Sequence, residues 1–297
     1  MTRLLRQGSG QAYAEVIGDP IAHSKSPLIH NFWLGKLGID AEYRTCHVRA
    51  DELADYFTRR RGDAEWRGCN VTMPHKNAVL PLLDLVSPRA RRIEAVNCIV
   101  RDSSGTLQGT NTDVEGVAEP LGRIKIGDYE NHVATYVQVI GAGGAARAAA
   151  LGAAAAGYGD FDVFNRSLVK ADSLAELIGA PFGKGQPLEA LGPIRNPGDG
   201  PDDQRYSHVV INATSMGMNG SDPVPIDLRE YYPDTIVFDL VYSPLHTPLL
   251  SQARSLGLRT IDGLEMLVAQ AAEAFELFFT QPAPREHDAE LRALLTT

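Results

Sequence analysis

The sequence predicts an α/β fold built as two domains with a cleft between them. Strand-like and helix-like segments alternate along nearly the whole chain, the pattern of sheets crossed over by helices. A polar stretch at about 122–134 separates two such runs and precedes a strongly apolar strand, Tyr136 to Ile140. A glycine turn, Gly141 to Gly144, then joins that strand to an alanine-rich helix. At 297 residues the chain has core enough for one large domain or two modest ones.

In chain order, the apolar run Tyr13 to Ile17 reads as a strand. Pro27 sits near the start of a helix whose apolar residues Leu28, Phe32, Trp33 and Leu37 recur at helical spacing. The alternation from Glu42 to Val48 is a second strand, after which Asp51 is the expected cap of a helix running to about Arg60. Cys69 to Thr72 is a short strand stopped by Pro74, and the chain is expected to enter a helix at Lys76. Asn97 to Val100 and Thr106 to Gln108 form a hairpin around Ser104-Gly105. Asp113 opens another helix. Beyond the glycine turn come a strand, Phe161 to Phe164, and a helix, about Val169 to Ile178. Residues 183–206, rich in Gly, Pro and Asp, are the expected long mobile surface loop. Strands His208 to Asn212 and Thr235 to Leu240 follow. A helix from about Leu264 to Phe279 is apolar on most faces and therefore buried.

Hydrophobic content of 44% and charged content of 22% are those of a globular domain. The formal charge of −9 argues against nucleic acid or an anionic membrane surface as partner. Cys46, Cys69 and Cys98 are scattered, without a CxxC or a nearby His cluster. That usage fits reduced thiols in the cytoplasm and offers no metal site. No transmembrane run or signal peptide is visible, and a cytoplasmic location is expected.

Gly141-Ala142-Gly143-Gly144-Ala145-Ala146 lies between a buried strand and a helix, the context that gives such a turn its mechanism. Gly141 permits the tight bend, and Gly143 lets the backbone approach a pyrophosphate. Ala146, in place of a third glycine, still allows close helix–sheet contact. The helix start offers unpaired N–H groups and a positive dipole to phosphates. The reading is a Rossmann-like dinucleotide domain; the alternative is a purely structural glycine turn. The end of the next strand carries Asn165-Arg166-Ser167, with Lys170 one turn on, where an NAD site usually has a carboxylate. Arg166 and Lys170 can pair with a 2′-phosphate, so NADP is favoured over NAD.

Short polar clusters in the first half sit at loop positions that a packed core does not require. Ser24-Lys25-Ser26 has two hydroxyls able to donate to a carboxylate; its plainer reading is a helix cap before Pro27. Lys76 in a first helical turn lies against the dipole, and burial lowers a lysine's pKa toward neutrality. Asp113 supplies a carboxylate at another helix start, or is an ordinary cap.

The ordered set of motifs resembles the shikimate dehydrogenase family. It comprises Ile21 to Pro27, Asn70-Val71-Thr72 with Pro74 and Lys76, Ala95-Val96-Asn97 and Asn111-Thr112-Asp113. It continues with Gly141 to Ala145, Asn165-Arg166-Ser167 and Ile211 to Ser215. Asp239 to Tyr242, Thr247-Pro248-Leu249, Asp262-Gly263 and Met266 to Gln270 complete it. The similarity runs from about residue 13 to 280, in order.

The resemblance implies reversible NADPH-dependent reduction of 3-dehydroshikimate to shikimate, in chorismate and aromatic amino-acid biosynthesis. It implies a substrate domain of residues 1–113 plus 263–297 and an NADP domain of 114–262. Lys76 and Asp113 are implied as the catalytic pair. Ser24, Ser26 and Tyr242 would hold the substrate carboxylate, and Asn70, Thr72, Asn97, Asp113 and Gln270 the ring hydroxyls. Gly141, Ala142, Gly143, Gly144, Ala145, Asn165, Arg166, Ser167 and Lys170 would hold NADP, with Thr214, Leu240 and Gly263 lining the nicotinamide side. The expected partner is a small-molecule substrate, and the chain a monomer or homodimer. His75, Val114 and Glu265 depart from the commonest family pattern. A quinate/shikimate dehydrogenase of broader scope, an amino-shikimate variant and a non-catalytic ligand-sensing homologue remain alternatives.

Overall fold

The computed structural model describes residues 10–124, 134–179, 183–193 and 206–297. They divide into two compact units, residues through Thr112 together with Ala271–Thr297, and Asp113–Gln270.

The first unit contains β1 (Ala12–Gly18), α1 (Ser26–Leu37), β2 (Ala41–His47), α2 (Leu53–Arg61) and β3 (Trp66–Val71). It continues with β4 (Leu85–Val86), α3 (Pro88–Ile93), β5 (Cys98–Arg101) and β6 (Leu107–Thr110). Its six-stranded sheet has the order β2-β1-β3-β5-β6-β4. β1 runs parallel to β2 and β3, whereas β5 is antiparallel to both β3 and β6. The sheet is thus mixed rather than parallel throughout. The β5–β6 turn forms because the Asp102 carboxylate accepts from the Ser104 and Thr106 backbone N–H groups at 2.9 and 3.0 Å.

β1 is buried almost end to end because strands flank it on both sides. That puts Glu15, wholly buried, in mid-strand. Arg60 Nε (2.6 Å) and the Tyr56 hydroxyl (2.7 Å) both donate to its carboxylate there, so the buried group is partnered.

Two expectations for this unit are corrected. Asp51 does not cap α2. A 3₁₀ turn, Ala50–Glu52, precedes that helix, and the Glu52 carboxylate accepts from Arg49 N–H at 2.9 Å, leaving Asp51 on the surface. Nor does a helix begin at Lys76. The residues after β3 form successive turns as far as a 3₁₀ turn at Leu80–Leu82. Pro74 and Pro81 bracket too few residues to propagate a helix between them.

The second unit begins with α4 (Asp113–Gly122). It continues through β7 (Ala134–Ile140), α5 (Gly144–Ala155), β8 (Asp160–Asn165), α6 (Leu168–Ile178), β9 (Lys184–Pro187) and β10 (Tyr206–Asn212). β11 (Ile236–Asp239), α7 (Pro248–Ser255) and β12 (Arg259–Ile261) follow. The last long helix, α8 (Gly263–Phe279), carries the unit boundary between Gln270 and Ala271, and α9 (Asp288–Thr296) closes the first unit. All strands of this sheet are parallel, in the order β12-β11-β10-β7-β8-β9. This is the doubly wound dinucleotide-binding order, with its reversal between β7 and β10.

Residues 183–206 were expected to be loop, and this too is corrected in part. Lys184–Pro187 pair with Asp162–Asn165 as a parallel edge strand. Leu188 and Leu191 pack on the sheet core, and Gln138 Nε2 donates to Gly192 O at 2.6 Å. Residues 194–205 of that stretch lie outside the described residues, as does most of the polar stretch at 122–134.

α5 approaches α4 closely because Gly152 has no side chain. A Cβ there would sit 2.5 Å from Val114 O and 2.8 Å from Val117 Cβ. Gly152→Ala is therefore expected to destabilise the chain by about 1–3 kcal/mol through overpacking, despite alanine's better helix propensity. Urea titration of the variant checks this; unchanged or raised stability would refute it. Among the described residues no helix is long and apolar enough to cross a membrane.

Candidate active site

In the second unit the chain leaves β7 through Gly141, whose φ is +111°, a region open chiefly to glycine. Its N–H donates to Phe164 O at 2.8 Å, and a Cβ would lie 2.9 Å from Thr214 Cγ2. Gly141 is thus fixed by the fold itself. Gly143 is different. It is exposed, in extended conformation at the N-cap of α5, and a Cβ there would meet nothing within 4 Å. None of the described residues demands a glycine at 143, and the absence of a side chain leaves the helix start open to an approaching group. Gly144 and Ala145 form the first helical turn, which has no side-chain cap, while Ala146 is buried against the core. Such an end presents unpaired N–H groups and a positive dipole to a phosphate.

Asn165 ends β8 and donates from Nδ2 to Ser167 O at 3.0 Å, shaping the entry to α6. Arg166 and Lys170 are exposed beside it, and no carboxylate of the described residues pairs with either. An open glycine turn, an uncapped helix start and two uncommitted cations after the second strand fit NADP.

Across the strand-order reversal, a polar network that sequence reading missed holds the ends of β10 and β11. Asn212, wholly buried, donates to Asp239 Oδ1 (2.9 Å) and Met216 O (3.0 Å) and accepts from Thr214 Oγ1 (2.7 Å). Asp239 Oδ2 accepts from Thr247 Oγ1 at 2.6 Å, and Thr247 caps α7 through Leu250 N. Burial pushes the Asp239 carboxyl up, against the pull of these donors. The network fixes Thr214 directly and Leu240 through its N–H to Asn212 O at 3.0 Å. Gly263 packs so tightly that a Cβ would lie 2.6 Å from Leu240 O. Tyr242 follows β11 half-buried, and burial pushes its phenol up. Gln270, buried on α8, donates from Nε2 to Leu267 O at 3.0 Å.

In the first unit the sequence-predicted residues gather where β3 ends and β5 begins, in the middle of the sheet. Asn70, the penultimate residue of β3, is buried, and its Nδ2 donates to Asn97 O at 3.1 Å. Asn97 Oδ1 in turn accepts from Thr112 N at 2.6 Å, fixing the residue that precedes Asp113. Thr72 is tied through its N–H to Ile17 O (2.9 Å), and Lys76 through its carbonyl to Val96 N (2.9 Å). Lys76 is half-buried on its turn, so the helix-dipole argument for it does not apply. His75 is wholly buried and anchors that turn through Nε2 to Val48 O at 2.6 Å. Asp113, which belongs to the second unit, is buried as the first residue of α4.

Ser24 and Ser26 lie at the start of α1, but the cap position is Lys25 and no side chain caps the helix. Ser24 Oγ instead accepts from Ser26 N at 3.3 Å. Lys25 points away to the last turn of α9, donating to Leu295 O at 2.5 Å, which suits a cation at a helix C-terminus.

A doubly wound sheet with an open glycine turn, together with a unit of linked buried amides, defines a two-unit protein of the dinucleotide-binding α/β class. Residues 16–99 match the family described as "Shikimate dehydrogenase substrate binding domain", and residues 263–290 the "Shikimate 5'-dehydrogenase C-terminal domain". The chain is 49% identical to a "Shikimate dehydrogenase (NADP(+))" of Sphingopyxis alaskensis, covering 95% of this chain and 96% of that one. It therefore belongs to the shikimate dehydrogenase family. Its fold is similar to shikimate 5-dehydrogenase of Thermus thermophilus in complex with NADP(H) and shikimate. The TM-score is 0.78 at 33% identity, with 96% of this chain and 99% of that one covered. It is also similar to 5-ketofructose reductase of Gluconobacter, with a TM-score of 0.82 at 31% identity, covering 97% and 100%. Fold likeness thus spans more than one substrate.

Proposed function

We propose that this chain reversibly reduces 3-dehydroshikimate to shikimate with NADPH, serving chorismate and aromatic amino-acid biosynthesis in the cytoplasm. The observation that carries the reading is 49% identity over 95% of the chain to a shikimate dehydrogenase that uses NADP. Residues 1–113 with 263–297 are assigned to substrate and 114–262 to NADP.

Oxidation of a secondary alcohol removes a hydride from carbon and a proton from oxygen. NADP⁺, when bound, supplies the hydride acceptor. The protein's part is to orient the alcohol and manage its proton. Lys76 with Asp113 is assigned that proton, and the lysine ammonium stabilises negative charge developing on the oxygen. Ser24, Ser26 and Tyr242 are assigned the substrate carboxylate. Thr72, Asn97, Asp113 and Gln270 are assigned the ring hydroxyls, together with Asn70. Gly141 to Ala145 are assigned the pyrophosphate, Asn165 to Ser167 with Lys170 the adenine ribose phosphate, and Thr214, Leu240 and Gly263 the nicotinamide side.

Initial rates with shikimate and quinate, each with NADP⁺ and NAD⁺, test the reading. Turnover is expected with shikimate and NADP⁺ and little in the other three combinations. Arg166→Ala is expected to raise KM for NADP⁺ about tenfold or more, the worth of one charge-assisted contact, and to leave KM for NAD⁺ unchanged. Preference for quinate or NAD⁺ would replace this function by the broader one, and no turnover with any combination would refute it.

A further inference from the structure

The amide of Asn70 can be assigned without ambiguity. Its Nδ2 lies 3.1 Å from the Asn97 carbonyl, which can only accept, so its Oδ1 faces the Tyr43 hydroxyl at 2.6 Å and that hydroxyl must donate. Complete burial holds the Tyr43 phenol in its protonated form. One N–H of Asn70 remains to donate elsewhere.

Tyr43 is itself fixed from several directions. It lies on the edge strand β2, while Asn70 lies on β3, with β1 between them. Its ring passes over β1 at Ala14, the residue paired with it, where a larger side chain would block the way. Asn31 of α1 clamps its backbone twice, donating to Tyr43 O at 2.7 Å and accepting from Tyr43 N at 2.9 Å. His30, also on α1, stacks on the ring at 4.0 Å with planes 5° apart. A buried aromatic held this firmly does not reorient to suit Asn70, so Asn70 must suit it.

We propose that Tyr43 is a positioning residue for the substrate subsite, locking the Asn70 amide so that Asn70 meets a ring hydroxyl as a donor. The role rests on the proposed function, which places Asn70 against shikimate. Tyr43→Phe removes the single donor and keeps the stacked ring. It is expected to raise KM for shikimate about five- to tenfold, the worth of one buried hydrogen bond, with KM for NADP⁺ unchanged.

The decisive comparison is a double-mutant cycle with Asn70→Ala. If Tyr43 acts through Asn70, Tyr43→Phe adds nothing further once Asn70 is gone. The rise in melting temperature on adding shikimate should also shrink in Tyr43→Phe and shrink no further in the double variant. An unchanged KM for shikimate, or the same factor with and without Asn70, would overturn the role while leaving the proposed function standing. Wild-type chain that turned over no shikimate would instead remove that function first, and this role with it.

Discussion

Lys76→Ala is expected to lower kcat for shikimate oxidation about a thousandfold, within the range a positioned proton-transfer group contributes. The backbone path of the turn does not depend on that side chain. The turn carrying Lys76 is held by the His75 ring on Val48 O, by Val79 N on His75 O (3.1 Å) and by Val96 N on the Lys76 carbonyl (2.9 Å). None of these three bonds uses the lysine side chain. Asp113→Asn is expected to cost a comparable factor if the carboxylate has the proposed role, because a neutral amide cannot accept a proton. If the two act as one unit, the double variant is scarcely slower than either single one. Pre-steady-state rates and thermal melts of the three variants check this. A Lys76→Ala enzyme that kept most of its kcat would assign the proton to another group.

Much of what rests on local chemistry is legible in the sequence. Gly141 was assigned to a tight bend from its place between an apolar strand and a helix, and its φ of +111° is that bend. The hairpin around Ser104-Gly105 was legible because Asp102 and Gly105 act within a few residues of themselves. Two helices passed unremarked although their start signals were present. Ser87-Pro88 and Thr247-Pro248 each place a hydroxyl at the cap, accepting from Ala90 N (3.3 Å) and Leu250 N (3.2 Å), with a proline just inside. The strand Lys184–Pro187 could not be read at all. Lys-Gly-Gln-Pro has no strand propensity and pairs only because β8 offers an open edge. Lys76 was misplaced for a related reason. Two prolines and a buried histidine decide the path after β3, and none of them leaves a periodic trace. The same limit hid Tyr43. Its alternation marked a strand, but its partner lies 27 positions away on another strand.

Mild acid is expected to destabilise this chain through His30. The ring is wholly buried among Trp33, Tyr43, Phe275 and Phe278, and neither nitrogen has a hydrogen-bond partner among the described residues. Desolvation lowers its pKa from the ordinary 6.5 to about 3. The unfolded chain therefore binds a proton in the range between these values that the folded chain does not. The stability that the neutral ring confers is complete above pH 6.5 and is lost as pH falls toward about 3. At about 1.4 kcal/mol for each unit of pKa difference, the full loss is on the order of 4–5 kcal/mol, a large share of a domain's stability. Carboxylates titrate in the lower part of the same window, so wild type must be compared with a variant that lacks only the imidazole. His30→Leu is close in volume and cannot be protonated. It sacrifices the stacking on Tyr43 and should be the less stable protein at pH 8. As pH falls, wild type should lose stability faster, so that the gap between the two narrows steadily below pH about 6.5 and then reverses. Urea titrations of both proteins across pH 4–8 measure the gap directly. A gap that stayed constant over that range would mean that His30 is protonated in the fold, through a partner or water that its aromatic surroundings do not supply.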